Sequence, residues 1–319
     1  MILLWGLASE SPLAQVRREL DNMGAPVLHV DQRVPHQACI DLHVDVQVCG
    51  HVVVDGEAYA LQDISAAYIR PYPFNEVPTV VSAGAGSQEW QHAERLDHGL
   101  SLWVALTTAR LVNPPSAMAS NGSKPYQLRR IKAQGFSVPH TLVTTDPDAA
   151  RAFWAQHESV IYKSVSGVRS IVSRLQPDDV DRLSDVQHCP TQFQAYVPGV
   201  DHRVHVVGSQ VFAARVESEA VDYRYPAECS VEIRECRLPD DVADRCKRLA
   251  TALRLPVAGI DLRRTPEGEW FCFEVNPSPA FTYYESATGQ PIAAAIARFL
   301  VDGSDSLSQR ERRCGQVAL

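Results

Sequence analysis

Apolar residues are grouped in two runs near the start of the chain, with an amphipathic stretch between them. Residues 2–7 and 26–31 are the apolar runs, and both predict buried strands. Ser11 and Pro12 begin the intervening stretch, with Ser11 predicted as the helix N-cap and Pro12 in the first turn. This helix is predicted to end near Met23. Strand, helix and strand in this order predict a parallel α/β unit.

The rest of the chain continues as short strands and helices with no internal repeat. A small hairpin is predicted within residues 41–54, around Gly50, and a long helix within residues 88–110. Residues 302–319 are polar and basic and are predicted to form a peripheral tail. Further strands are predicted at 66–70, 111–113, 137–144, 160–165, 171–175, 192–197, 203–207 and 211–217, and further helices at 124–134, 148–156, 178–184, 240–253 and 291–300.

The clearest hairpin pattern lies near the C-terminus, where two apolar-alternating runs flank a Pro-Glu-Gly turn. If the turn centres between Glu267 and Gly268, Asp261 lies directly opposite Glu274. Because strand side chains alternate between faces, Asn276 then shares the face of Glu274. The opposite, buried face is predicted to carry Ile260, Leu262, Phe273 and Val275.

Two carboxylates and a carboxamide oxygen therefore converge on one polar patch. Directly opposed carboxylates repel each other unless a cation lies near them. Hard oxygen ligands in this small number suit Mg²⁺ that is held jointly by the protein and nucleotide phosphates. The alternative interpretation is a solvent-facing polar side of a hairpin without any metal.

Composition and charge narrow the functional classes. The chain has 319 residues, of which 45% are hydrophobic and 21% charged, which is typical of globular domains. A net charge of −8 argues against a general binder of nucleic acid or of anionic membranes. No apolar run approaches the ~18 residues that span a bilayer. The eight cysteines show no CxxC spacing, which favours reduced thiols and a cytoplasmic location.

Several short motifs follow one another in the C-terminal half. They are Gln194-Ala195-Tyr196-Val197, Asp201-His202-Arg203, Val206-Val207-Gly208, Gly259-Ile260-Asp261 and Glu274-Val275-Asn276. Lys124 begins a predicted helix, and Lys163 lies on a predicted strand before a glycine-bearing loop. In type and order these motifs resemble the ATP-grasp superfamily, and most closely its RimK-like carboxylate–amine ligases, from about Asn113 to Leu300.

The resemblance implies an ATP-grasp fold of the α/β (α+β) class. Its N-terminal Rossmann-like (pre-ATP-grasp) domain would span residues 1–112. The central ATP-grasp lobe would span 113–190, and the C-terminal lobe, with the magnesium-binding hairpin, 191–319. Nucleotide would bind between the last two.

The resemblance also implies a site for ATP and one or two Mg²⁺ ions. Lys124 and Lys163 would approach the phosphates. The glycine-bearing loop that follows Lys163 would cover the phosphates with its backbone N–H groups. A hinge strand, between the two lobes, would pair with adenine through its backbone. The residues in these two segments are Ser166, Gly167 and Arg169 in the loop, and Gln194, Ala195, Tyr196 and Val197 in the hinge. Asp261, Glu274 and Asn276 would hold the metal.

The implied reaction has two steps. A substrate carboxylate attacks the γ-phosphate to give an acyl phosphate, and an amine then displaces phosphate, so that ADP and phosphate are released. Arg203 is predicted to bind the acyl phosphate because a guanidinium donates to two oxygens at once. Lys163 and Arg215 are further catalytic candidates. Predicted substrate-binding residues are Arg70, Arg224, Ser278 and Tyr284.

Some positions depart from the family pattern. Ala195 stands where Glu is common, the phosphate loop is poor in glycine, and Ala280 replaces a common Gly. The α/β unit at the start of the chain is also typical of oxidoreductases that bind a dinucleotide. Gly84 and Gly86 alone, however, make only an incomplete version of the glycine fingerprint of dinucleotide-binding proteins.

Three functions remain open. The first is a ligase acting on a carboxylate and an amine, each a small molecule or a peptide. The second is an ATP-grasp macrocyclase of a ribosomal peptide pathway, whose sequences resemble this chain around Arg70-Pro71 and Thr288-Gly289. The third is an ATP-binding protein without catalysis. No nucleic-acid or membrane partner is expected, and because related enzymes are often dimers or tetramers, a homo-oligomer is compatible with the resemblance.

Overall fold

The computed structural model describes residues 1–45, 48–119, 123–165, 172–217 and 231–303. The strands are β1 (Ile2–Gly6), β2 (Val27–Asp31), β3 (Ala38–Val44), β4 (Val48–Val54), β5 (Glu57–Ala60), β6 (Ala66–Arg70), β7 (Arg110–Val112), β8 (Thr141–Thr144), β9 (Val160–Ser164), β10 (Ser173–Arg174), β11 (Thr191–Ala195), β12 (Val200–Val207), β13 (Gln210–Glu217), β14 (Glu232–Cys236), β15 (Val257–Arg264) and β16 (Trp270–Asn276). The α-helices are α1 (Ser11–Asn22), α2 (Pro78–Ala83), α3 (Gln88–Leu106), α4 (Pro115–Met118), α5 (Lys124–Ala133), α6 (Pro147–Ala155), α7 (Asp240–Ala252), α8 (Thr282–Thr288) and α9 (Ile292–Asp302). Short 3₁₀ helices span Pro35–Gln37, Leu61–Asp63, Phe74–Glu76, Pro177–Asp179 and Asp181–His188.

The N-terminal sheet has the strand order β2-β1-β6-β7, and all three of its strand pairings are parallel. This confirms the predicted α/β opening, with α1 as the crossover. The helix starts differently from the prediction: Glu10 is the N-cap and Ser11 is already helical. The Ser11 hydroxyl instead forms a hydrogen bond with Thr282 Oγ1 at 3.0 Å, which joins α1 to α8.

A separate antiparallel sheet, β3-β4-β5, packs beside α3. The predicted hairpin exists, but Gly50 lies inside β4, opposite Leu42, and not at the turn. A Cβ atom at Gly50 would collide with the Asp41 carbonyl oxygen, so a close backbone approach explains this glycine. The strand β5 was not predicted.

The central sheet has the order β10-β9-β11-β8, and its apolar face packs on α6 and on the 3₁₀ helix Asp181–His188. The strand β11 begins one residue after the domain boundary expected at residue 190. Because β11 pairs with both β8 and β9, the sheet pairing favours a boundary after Ala195. The division into domains stays a prediction.

The C-terminal sheet has the order β14-β13-β12-β15-β16 and is antiparallel throughout. One face is apolar and packs against α5 and α7. The helix α9 joins this sheet to the N-terminal sheet, since Ile296 shares a core cluster with Leu4 on β1 and Val207 on β12. Neither β14 nor α8 was predicted. Among the described residues, no helix is both long and apolar enough to span a membrane.

Candidate functional site

The polar face of the C-terminal sheet carries a row of charged side chains across three neighbouring strands. Arg203 on β12 pairs with Asp261 on β15, and Asp261 pairs with Glu274 on β16. Asn276 lies opposite Gly259 on the same face. The predicted register between Asp261 and Glu274 is therefore present, and Asn276 shares their face.

The buried face of the hairpin differs from the prediction at one position. A register shift follows Asp261, so Leu262 pairs with Cys272 and not with Phe273. Cys272 is fully buried, and burial raises the pKa of its thiol well above the ordinary value. Phe273 is the extra residue of this bulge, and the prediction that it fills the core was wrong. An extra residue reverses the alternation of faces beyond it.

Arg203 places a cation beside Asp261, one of the two opposed carboxylates. Its Nη1 atom lies 2.6 Å from Asp261 Oδ1, and its side chain is only 8% exposed. The guanidinium also packs over the Tyr284 ring, at 5.6 Å from the centroid. A Cβ atom at Gly259 would collide with this guanidinium, so the glycine leaves the space that Arg203 occupies.

His205 is a site residue that the sequence interpretation did not select. Arg203 Nε donates to His205 Nε2 at 3.5 Å, and the imidazole packs on Tyr284 at 5.2 Å between centroids. Burial first, and then the Arg203 charge, hold the pKa of His205 well below its ordinary value. A neutral imidazole can accept this hydrogen bond. Alternation along β12 could have revealed His205, since it follows Arg203 by two residues.

Two side-chain amides fix the strands that carry the row. Gln127 on α5 donates to the Val275 carbonyl at 2.6 Å and accepts from the Val275 N–H at 3.1 Å. Asn113 makes the same pair of bonds to Val257, at 2.7 and 3.0 Å, and also donates to the Pro277 carbonyl. Both amides are buried. Neither amide was predicted as a site residue, because no local sequence pattern indicates a contact between residues so far apart along the chain.

The side chain of one predicted phosphate lysine, Lys124, reaches the strand that carries the other, Lys163. Lys163 is buried on β9, and Lys124 is buried as the first residue of α5. Lys124 Nζ donates to the carbonyl of Ser164, the neighbour of Lys163, at 3.4 Å. The loop residues Ser166, Gly167 and Arg169, and also Arg224, lie outside the described residues.

One face of the central sheet is unusually polar for its burial. Lys163 pairs with Gln192, and Gln194 lies two residues farther along β11 on the same face. The side-chain oxygens of Gln192 and Gln194 are buried, and neither accepts a hydrogen bond from any described residue. Buried acceptors of this kind are costly unless a ligand or water satisfies them.

The strand that contains the predicted hinge is shorter than expected. It was predicted to continue to Val197, but β11 ends at Ala195. The N–H groups of Ala195 and Tyr196 donate to the carbonyls of His140 and Ser159, at 2.9 and 2.8 Å. These two donors hold the strand end in place. The Val197 carbonyl accepts from Arg263.

Arg263 braces the hinge against the C-terminal sheet and was also missed. It forms a bidentate ion pair with Asp201, with distances of 2.7 and 2.8 Å, and donates to the Val197 carbonyl at 2.8 Å. Its guanidinium also lies over the rings of Tyr196 and Phe273. The hinge is therefore tied to the same sheet that carries Asp261.

The structure does not bring Arg215 to the charged row. Arg215 pairs with His202, whereas Ala214 pairs with Arg203, so Arg215 points to the opposite face of the sheet. Its side chain is half-exposed and forms an ion pair with Glu217. This geometry gives no support to the predicted catalytic role of Arg215.

The predicted substrate residues in the described part of the chain lie around the loop that follows β16. Ser278 N–H donates to Asn276 Oδ1 at 2.8 Å. Arg70, at the end of β6, is held by a bidentate ion pair with Glu10 and lies 3.5 Å from the Pro279 carbonyl. Tyr284 lies on α8, beneath Arg203. The structure therefore places all three next to the charged row or its loop.

Comparison with known proteins identifies the family. A family model described as the RimK-like ATP-grasp domain matches residues 121–300, which is more than half of the chain. The chain belongs to the RimK-like ATP-grasp family. This family assignment covers α5, the central sheet and the charged row, and it confirms the resemblance seen in the motifs.

Individual relatives share the fold over most of the chain. Beta-citrylglutamate synthase B of Danio rerio is 27% identical over 206 residues, which are 60% of this chain and 50% of that protein. The chain thus spans about half the length of this curated relative. The macrocyclase MdnC of Microcystis aeruginosa MRC, solved with its precursor peptide MdnA, is 23% identical with a TM-score of 0.81, over 94% of this chain and 99% of that one. The ATP-grasp ligase PsnB, complexed with minimal precursor, Mg and ADP, is 27% identical with a TM-score of 0.76, over 94% and 96%. The similarity in fold to these ATP-grasp ligases therefore extends over 94% of the chain, well beyond the residues that the family model matches.

Proposed function

We propose that this chain is an ATP-dependent carboxylate–amine ligase that forms an amide bond through an acyl phosphate and releases ADP and phosphate. The observation that carries the proposal is the position of α5. Its first residue, Lys124, contacts β9, and Gln127 one turn later binds β16 at Val275. Gln127 is three residues after Lys124, which corresponds to only about 4.5 Å along the helix axis. The phosphate-binding lysines and the carboxylates of the hairpin are thus held together by one helical turn.

The hairpin residues fit a magnesium ion that is shared with a nucleotide. Asp261, Glu274 and Asn276 offer hard oxygen atoms on one face, which is the chemistry that Mg²⁺ prefers. They are too few to fill an octahedral shell, so phosphate oxygens and water would complete it. The described residues contain no group of three or more His, Cys, Asp or Glu placed to hold a metal alone. When bound, Mg²⁺ would neutralise phosphate charge.

The protein side chains would act by position and charge. Lys124 and Lys163, both buried, would oppose the phosphate charge at low dielectric, where such contacts are strong. Arg203 is held in one orientation by Asp261, His205 and Tyr284. A fixed guanidinium suits the oxygens of an acyl phosphate, which supports this role for Arg203. No covalent protein nucleophile is required.

We assign the base of the nucleotide to the end of β11. The buried oxygens of Gln192 and Gln194 share a face with Lys163, and an amino group such as that of adenine could donate to one of them. Backbone contacts from Ala195 to Val197 would use atoms other than the N–H groups of Ala195 and Tyr196, which are already bonded.

A second function is favoured by the extent of structural similarity. PsnB, solved with its minimal precursor, matches 94% of this chain at 27% identity. The curated relative matches only 60% of this chain. An intramolecular condensation between side chains of a ribosomal peptide would use the same acyl-phosphate chemistry. We therefore keep the peptide macrocyclase as the alternative to a ligase that joins two molecules.

Release of ADP that depends on Mg²⁺ tests the proposal. ATP is offered with pooled amino acids, small acids and peptides, and each pool is analysed by mass spectrometry. A product lighter than its two parts by one water establishes the ligase, whereas a single peptide that loses water establishes the macrocyclase. Glu274→Gln and Lys163→Ala should abolish ADP release, and Glu267→Gln, in the exposed hairpin turn, should not. No ADP from any pool, with ATP binding intact, would contradict both enzymes.

A further inference from the structure

The N-terminal domain contains a cavity that the proposed reaction does not yet use. Its volume is about 560 Å³, within the ~300–1,000 Å³ range of small-molecule sites. It lies at the carboxyl ends of β1 and β6, where parallel sheets usually bind ligands. The helices α3 and α4 close its sides. Most of its lining is apolar and includes Trp5, Leu7, Ile69 and Met118.

An ion pair forms the polar part of the wall. Arg70 and Glu10 face each other in bidentate geometry, with distances of 2.6 to 2.9 Å, and both line the cavity. The Arg70 side chain is 9% exposed and that of Glu10 is 32% exposed. Because each charge is neutralised by the other, the wall favours an uncharged group over a second carboxylate. Arg70 therefore serves to shape the cavity.

The loop after β16 lies between the cavity and the charged row. Ser278 lines the cavity, and its N–H donates to Asn276, one of the candidate metal ligands. Arg70 Nη1 lies 3.5 Å from the Pro279 carbonyl, in the same loop. A group in the cavity would therefore be separated from the metal ligands only by the width of this loop.

We propose that this cavity holds a large apolar side chain, aromatic or aliphatic, that the substrate carries beside its reacting group. The inference rests on the proposed function, because it places the reacting group at the charged row. The side chain could belong to a free amino acid derivative or to a residue within a peptide. Both sources share the same apolar chemistry.

Binding of small probes tests the cavity without knowledge of the substrate. Phenylalaninamide represents a free amine, and N-acetylphenylalanine N-methylamide represents a residue within a peptide. Their glycine counterparts lack the side chain. Each probe is titrated against the full chain by saturation-transfer NMR. We expect both aromatic probes to bind about 10- to 100-fold more tightly than the glycine probes, which is the gain expected for burying one phenyl group.

A matched pair of variants on α3 identifies the site. Ala105 is exposed on α3 and lines the cavity, so Ala105→Trp should fill it without disturbing the core. Leu102 is on the same helix, is 48% exposed, and is not part of the lining, so Leu102→Trp is the control. Binding of the aromatic probes should be lost in Ala105→Trp and retained in Leu102→Trp.

The outcomes separate the cavity from the ligase proposal. Aromatic probes that bind no better than glycine probes, or that bind Ala105→Trp as tightly as the unmodified chain, would overturn the inference. Calorimetry of ADP with Mg²⁺ on the same samples reports on the nucleotide site alone. Absence of nucleotide binding, with aromatic probes still bound, would refute the proposed function and leave the cavity assignment standing.

Discussion

Gln127 joins α5 to the edge strand β16, and its removal should weaken both the fold and the site. The side chain is buried and makes two hydrogen bonds to the backbone of Val275, which is itself fully buried. Val275 lies between Glu274 and Asn276. In Gln127→Met the side chain keeps a similar length and helix propensity, so the change removes the two hydrogen bonds and little else.

The expected loss follows from the two backbone groups that are left without partners. A buried donor or acceptor that loses its hydrogen bond costs about 1–3 kcal/mol. Water cannot replace the amide where Val275 is inaccessible. The N–H and the carbonyl together therefore predict a loss of about 2–6 kcal/mol in the free energy of unfolding.

Urea unfolding followed by tryptophan fluorescence measures this loss. Lys132→Met introduces the same residue at an exposed position of α5 and should change stability by no more than about 0.5 kcal/mol. ADP release by folded Gln127→Met should also fall, because Glu274 and Asn276, the proposed metal ligands on either side of Val275, are no longer fixed. Equal stability of Gln127→Met and Lys132→Met would refute this account of how β16 is held.

Two further predictions concern Arg203. In Gly259→Ala the new Cβ would displace the Arg203 guanidinium and lie 2.7 Å from Pro279 Cβ. ADP release should therefore fall about 100-fold while the chain stays folded. Unchanged release would show that the orientation of Arg203 is unimportant. The pKa of His205 is held well below 6.5 by burial and by Arg203, so only the unfolded chain takes up this proton just below pH 6.5. Stability is therefore lost as pH falls below 6.5, by at most about 1.4 kcal/mol per pH unit from this group. In His205→Phe this fall should be shallower, and an identical slope would contradict the buried neutral imidazole.

The charged row was predictable only in part, because its hairpin residues follow a local pattern whereas Arg203 was predicted through the family resemblance. The turn and the alternation of apolar residues predicted that Asp261 lies opposite Glu274, and the motif order indicated the family and, through it, Arg203. Arg264 pairs with Trp270, however, so the turn is centred on Glu267 and not between Glu267 and Gly268, and the bulge after Asp261 restores the predicted pair. The bulge could not be predicted, since Cys272 and Phe273 are both apolar and either could fill the core. Arg215 shows how strongly such a prediction depends on register, because a shift of one residue along a strand moves a side chain to the other face of the sheet.

The residues that hold the site together were not predictable from local patterns. Gln127 and Asn113 act on backbone 148 and 144 residues away, and a lone amide in a helix or loop gives no sign of such a contact. Arg263 is similar, because its ion pair with Asp201 depends on the register between β12 and β15. The helix α8 has only seven residues and lacks a side-chain cap, so its sequence pattern is weak.

The measurement that tests the central claim most directly is the effect of Mg²⁺ on ADP binding, followed by calorimetry. It needs no knowledge of the acid or the amine. The account predicts that Mg²⁺ tightens ADP binding to the unmodified chain and to Glu267→Gln, and that this gain is lost in Glu274→Gln, whose carboxamide is a weaker ligand. An equal gain from Mg²⁺ in Glu274→Gln would show that the hairpin does not hold the metal.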